Sequence, residues 1–122
     1  MRTARVVAED TDMSVTTWVK SCFSRRGKAL SLYRSGMAKA NNRDYEGAIA
    51  DYSAAVQVPK IPDDVKAMAL YNRALAYTAI REEAKSSEDL AAVLEIPRLP
   101  ENIRAAAEQR WDRVRRRSEK KD

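Results

Sequence analysis

The chain has no histidine, one cysteine, one phenylalanine and only three glycines among its 122 residues. Without histidine, imidazole acid–base catalysis and most zinc sites are excluded. The single cysteine, Cys22, cannot close an internal disulfide or build a thiolate cluster, so a reducing, cytoplasmic setting is expected. Three scattered glycines do not make a phosphate-cradling loop. The uncharged stretches are far shorter than a membrane-spanning helix needs, and no hydrophobic secretory segment stands near the N-terminus. Paired carboxylates do occur, at Asp63/Asp64, Glu82/Glu83 and Glu88/Asp89. The first two fall where helices are expected to start, and the helix dipole with capping accounts for them. No catalytic residue, metal site or cofactor is therefore expected, and the chain does not read as an enzyme.

What is present favours helices around one core. Hydrophobic residues make up 44% of the chain and charged residues 34%, alanine is abundant, and there are four prolines. The net charge of +5 is uneven: residues 28–60 carry +2, residues 61–97 carry −3, and residues 98–122 carry +4. A stripe of that kind keeps a protein soluble and also attracts acidic peptides, anionic lipid or nucleic acid.

The most informative feature is a duplication. "PKIPDDVKAMA" at 59–69 returns 38 residues later as "PRLPENIRAAA" at 97–107. Pro59/Pro97, Pro62/Pro100, Ala67/Ala105 and Ala69/Ala107 are identical, and five further pairs keep their chemistry. The same offset lays "KALSLYRSGMA" at 28–38 over "KAMALYNRALA" at 66–76, and "DYEGAIADYSAAVQVP" at 44–59 over "EEAKSSEDLAAVLEIP" at 82–97. The unit is two helical segments followed by a Pro-x-x-Pro link. Apolar residues recur at helical spacing in 28–41, 44–58, 63–80 and 84–96. Pro59 and Pro97 stop the helices before them, Pro62 and Pro100 with their following acids open the next ones, and Asp44 in "NNRD" is the expected N-cap. "IREE" at 80–83 is its weaker counterpart. Small residues at equivalent places, Gly36/Ala74 and Ala48/Ser86, allow two antiparallel helices to approach closely. A third copy begins at 101: Ile103, Ala107, Trp111 and Val114 form one apolar stripe backed by charge, as a capping helix over 101–117 requires.

The stretch "LYRSGMAKANNRDYEGAIADYSAAV" resembles a tetratricopeptide repeat (TPR), with Leu32, Gly36, Tyr45, Ala48, Tyr52 and Ala55 at that family's large and small positions. The second unit matches with Leu70, Ala74 and Tyr77, while Leu90, Ser86 and Glu83 depart from the pattern. Arg43 and Arg81 replace the usual glycine, and the 38-residue unit is four longer than the usual repeat. The resemblance covers 28–97. It implies an all-α fold of antiparallel hairpins stacked as a short right-handed TPR-type solenoid: unit one over 28–62, unit two over 63–100, then the capping helix. It also implies a non-catalytic scaffold that binds a protein or peptide in a concave groove. Carried over by position, the groove takes Leu30, Tyr33, Arg34, Met37, Ala40 and Asn41 from unit one, and Met68, Tyr71, Asn72, Leu75, Thr78 and Ala79 from unit two. The cap adds Gln109, Arg110 and Arg113. Tyr33, Tyr71, Met37 and Leu75 stand where a carboxylate-clamp groove has Lys and Asn, so an apolar partner segment with acidic flanks is expected instead.

The ends complete the sequence-based picture. Residues 1–12 lack periodicity and read as disordered, with Met13 a second candidate start; 118–122 read as a fraying tail. In 13–26, Val15, Trp18, Val19, Cys22 and Phe23 form an apolar stripe ahead of Arg25 and Arg26. That stripe reads first as a capping helix and second as a peripheral membrane contact. The rival function is nucleic-acid or anionic-surface binding through "RWDRVRRR" at 110–117, which Glu108 and Asp112 interrupt. It ranks below peptide binding. The expected assembly is a monomer or weak dimer.

Overall fold

The computed structural model describes residues 25–121, and these form an all-α fold without a strand. Helix α1 covers 25–41, α2 is Tyr45–Val56, α3 Asp63–Ala79, α4 Glu83–Leu94 and α5 Glu101–Lys121. The boundaries repeat with the period of the sequence: α2 and α4 both start and end 38 residues apart, α1 and α3 end 38 apart, and α3 and α5 start 38 apart.

The turns repeat as closely as the helices. After α1, the Arg43 amide donates to the Ala40 carbonyl at 2.9 Å and the Asp44 amide to the Lys39 carbonyl at 2.8 Å. After α3, the Arg81 amide donates to the Thr78 carbonyl at 3.0 Å and the Glu82 amide to the Tyr77 carbonyl at 2.8 Å. Each pair is a Schellman cap, which puts its C′ residue in the left-handed region: φ is 64° at Arg43 and 65° at Arg81. Asp44 then caps α2 through its side chain, accepting from the Gly47 amide at 3.0 Å, whereas Glu82 makes no side-chain cap. A Cβ at Gly47 would collide with that carboxylate, so the glycine keeps room for the cap.

The duplicated joint is equally regular. Val58 and Ile96, 38 apart, are buried beneath it. Lys60 and Arg98 follow with φ of 55° and 60°. Pro62 and Pro100 stand ahead of the next helices, their carbonyls accepting from Lys66 and Arg104 at 2.9 and 3.0 Å. Asp63, Asp64 and Glu101 occupy the first turns, where carboxylates favour the dipole.

Consecutive helices pack on one another, α2 on α3, α3 on α4 and α4 on α5. The α3–α4 contacts step away from the turn on both helices, Thr78 to Ser86 and then Arg73 to Asp89, so the pair is antiparallel. The corresponding contact in the first hairpin is Gly36 against Tyr52. Two core clusters result: Ala67, Leu70, Ala74, Leu90, Val93, Ile96, Ala107 and Val114 toward the C-terminal side, and Ala29, Val58 and Val65 at the joint between hairpins. Tyr52, Ala48 and Ala55 bury the inner face of α2. Tyr77, expected on the apolar stripe of α3, instead lies half-buried between cations, with Arg73 and Lys85 each 5.7 Å from its ring centre.

Helix α5 closes the stack for a chemical reason. Its face toward α4 uses Ile103, Ala107 and Val114, which correspond to Val65, Ala69 and Ala76 of α3. Where α3 offers Ala67, Leu70 and Ala74 to α4, α5 has Ala105, Glu108 and Asp112, a surface no apolar helix would cover. Trp111 is half-buried against the core with the Arg115 guanidinium 5.0 Å from its ring centre.

Two boundaries differ from expectation. Helix α1 already includes Arg25, Arg26 and Gly27, which had been set apart from a helix beginning at 28. Helix α5 continues to Lys121 rather than fraying after 117. The Arg115–Glu119 ion pair, at 3.6 Å and four residues apart, supports this last stretch, and no helix breaker interrupts it. The expectations for 1–12 and for the apolar stripe from Val15 to Phe23 lie outside the described residues.

Candidate functional site

The sequence-derived groove positions lie along α1, α3 and α5, the first helices of successive copies. On α1, Met37 is 39% exposed, Arg34 and Asn41 are exposed, and Leu30 and Ala40 are half-buried. Tyr33 is half-buried because its hydroxyl accepts from the Asn72 side-chain amide at 3.1 Å, while its ring stands 5.9 Å from that of Tyr52. That hydrogen bond joins α1 directly to α3. Burial raises the Tyr33 phenol above its ordinary pKa, with the Asn72 donor opposing the shift. Tyr52, 1% exposed, is pushed up to about 12, mainly by burial.

On α3, Asn72 spends its second N–H on the Met68 carbonyl at 2.8 Å. Tyr71 is half-buried and packs against the larger core cluster, and Leu75 is half-buried. Between α3 and α5 lies a cleft of about 170 Å³ lined by Met68, Tyr71, Asn72, Asn102, Ile103 and Ala106. Its lining is mostly apolar with two carboxamides at the rim, a composition suited to one large apolar side chain. Thr78 is placed differently from expectation. Its hydroxyl lies 3.0 Å from the Ala74 carbonyl and 2.8 Å from the Ser86 hydroxyl, so its polar group serves the inside of the hairpin. Ala79 borders a separate depression with Thr78, Arg81, Glu83 and Arg117 at the C-terminal end of α3.

On α5, Gln109, Arg113 and Arg117 are exposed and Arg110 is half-buried. Gln109 and Arg113 border an open depression with Asp112, Arg116, Arg117 and Lys120.

Comparison with known protein families finds no family model that matches the chain, and comparison with curated proteins and with solved structures finds no match either.

Two further carboxylates join helices to one another. Asp64 at the start of α3 accepts two hydrogen bonds from Arg26, at 2.9 and 3.2 Å, which hold its carboxyl below the usual range and tie α1 to α3. Asp51 is lowered mainly by the Ser35 hydroxyl at 2.6 Å and also by Lys39. Among the described residues no three acidic or cysteine side chains converge as a metal site, and no helix is long and apolar enough to cross a membrane. Sequence reasoning missed Asn102, Ile103 and Ala106 as cleft residues. The signal was available: the third copy of the helix-opening segment puts Asn102 where Asp64 stands, without its charge.

Proposed function

We propose that this chain is a short TPR-like solenoid, two hairpins and a closing helix, that binds a segment of another protein without catalysing a reaction. One observation carries the proposal. The 38-residue unit repeats in helix boundaries, in both Schellman caps and in both left-handed joint residues, Lys60 and Arg98. A unit repeated this closely stacks equivalent side chains side by side. Tyr33 and Tyr71, with Met37 and Leu75 one turn further on, then form one row, and the Tyr33–Asn72 hydrogen bond supports that alignment. Half-buried tyrosines, a methionine and a leucine on an exposed concave face suit anchoring of an apolar partner segment.

Met37→Ser with Leu75→Ser removes two apolar groove groups outside the core clusters, so the fold should persist by circular dichroism. Binding of a partner purified from the source cell should weaken by roughly 2–4 kcal/mol, the scale of interface anchors. Tyr71→Ala should also weaken it, with some loss of stability because Tyr71 touches the core. Backbone NMR of the labelled full chain gives the independent check. Partner-induced shifts should follow α1 and α3; shifts confined to α2 and α4, around Asp51 and Glu88, would refute the groove.

A further inference from the structure

The groove positions do not keep one chemistry across the stack. Position by position, α3 carries Met68, Tyr71, Asn72, Leu75, Thr78 and Ala79, and α5, 38 residues later, carries Ala106, Gln109, Arg110, Arg113, Arg116 and Arg117. Four of the six equivalents on α5 are arginines, against none on α3. Lys120 extends the same face by one turn.

Among the described residues, ion pairs do not take up these cations. The ion pairs formed along α5 join Arg115 to Asp112 and to Glu119, and Asp112 borders the same depression as Arg113, Arg116, Arg117 and Lys120. Arg110, Arg113, Arg116, Arg117 and Lys120 form no ion pair among the described residues, and all but Arg110 are exposed. Five like charges within three turns repel one another. A solvated helix face that only needs solubility interleaves signs, whereas Asp112 is the one acid that borders the depression beside Arg113, Arg116, Arg117 and Lys120. Arg117 also borders a depression with Thr78, Ala79, Arg81 and Glu83, so the cationic face adjoins the end of the α3 groove surface beside one carboxylate. The apolar cleft of about 170 Å³ opens between the same two helices.

We infer that α5 sets the orientation and charge specificity of the groove. The bound protein segment places a large apolar residue in the cleft between α3 and α5 and runs acidic residues over Arg110, Arg113 and Arg117. This rests on the proposed groove function and makes it specific. Arg110 and Arg113 lie about 6 and 10 Å along the α5 axis from Ala106 in the cleft wall, at ~1.5 Å per helical residue, and extended chain advances ~3.3 Å per residue. The acidic cluster therefore begins about two to three residues from the apolar anchor. A protein segment fits better than a polyanion, because a nucleic acid gives the adjoining apolar cleft nothing to hold, and Asp112 interrupts a phosphate track.

The test is selection of random 16-residue displayed peptides on the full-length protein, repeated on Arg113→Glu/Arg117→Glu and on Met37→Ser/Leu75→Ser, each confirmed folded by circular dichroism. The expected parent pool pairs a Leu, Ile, Phe or Met with two or more Asp or Glu beginning about two to three residues away. Charge reversal should abolish the acidic preference, keep the apolar one, and weaken selected acidic peptides by about tenfold or more at low salt and less at high salt. A pool with an apolar anchor but no acidic enrichment, or one indifferent to the reversal, overturns the role of α5 and leaves the groove standing. A pool indifferent to Met37→Ser/Leu75→Ser overturns the proposed groove row, and no enrichment at all overturns both. A duplex oligonucleotide or a phosphatidylserine vesicle that outcompetes the selected peptides, and loses its own binding on the reversal, makes this face a polyanion site and also overturns the inference.

Discussion

Gly36 and Tyr52 show how one sequence detail decides a hairpin. A Cβ on Gly36 would lie 2.6 Å from Tyr52 Cε1 and 2.8 Å from Cδ1. Tyr52 is 1% exposed, so its ring has little space to withdraw. In the second hairpin the equivalent residues are Ala74 and Leu90, both buried in one cluster. One pair is the smallest residue against an aromatic; the other is one methyl larger against a smaller aliphatic. Volume is conserved across the pair, not at each position. Gly36→Ala gains about 1 kcal/mol of helix propensity but should lose about 1–3 kcal/mol to overpacking, leaving a less stable protein. Made in a Tyr52→Leu background, the same change should stabilise by about 1 kcal/mol, because the propensity gain remains and the clash is gone. Urea unfolding of the four proteins measures the coupling. Equal effects of Gly36→Ala in both backgrounds would show that the ring does not set the helix spacing.

At the scale of the element, helix ends were legible because punctuation marks them. Pro59, Pro62, Pro97 and Pro100, with the acids that follow the second of each pair, place the α2–α3 and α4–α5 boundaries to within a residue or two of those found. The first boundary differed because Arg25, Arg26 and Gly27 bring no apolar residue that would extend the stripe of α1 back from Lys28, yet they lie within the helix. The final boundary failed because a charged tail without breakers looks the same frayed or helical. The turns "NNRD" and "IREE" were recognised, but not their geometry. Both helices end in Schellman caps with arginine at the left-handed position, where a Cβ is unfavourable and glycine is favoured. Arg43→Gly and Arg81→Gly should each stabilise the protein by about 0.5–1 kcal/mol, the relief of left-handed strain less the extra freedom glycine has when unfolded. Thermal melting of the single and double variants checks this. The effects should add, since the sites belong to separate hairpins. A drop in melting temperature at either site would mean that the arginine side chain contributes more than its backbone strain costs.

At the scale of the whole molecule, what joins the two hairpins was the least legible part. The offset aligns Asp51 with Asp89, and the sequence shows that both are kept. Their partners, however, are Ser35 and Arg73, a substitution that hides a change of role. In the first hairpin Asp51 accepts from Ser35 and pairs with Lys39 within one half-exposed surface. In the second, Arg73 donates twice to Asp89, at 2.6 and 2.7 Å, and also to Ser53 on α2 at 3.0 Å. One guanidinium thus holds α2, α3 and α4 together, and the Asp89 carboxylate in turn raises the Arg73 pKa above its ordinary value. Asp89 is 5% exposed, so removing Arg73 strands a nearly buried charge. Arg73→Ala should cost about 2–4 kcal/mol, near the range for breaking a buried pair but lessened by partial solvent access. Asp51→Ala should cost under about 1 kcal/mol, as for a surface pair. Replacing both members, Arg73→Leu with Asp89→Leu, should recover most of the loss, because no charge is left without its partner. Guanidinium denaturation of these variants, followed by far-ultraviolet circular dichroism, reads the difference. If Arg73→Ala and Asp51→Ala cost the same, the two hairpins are held by their apolar joint at Val58 and Val65 with the Arg26–Asp64 and Tyr33–Asn72 contacts, and the arginine adds nothing to that joint.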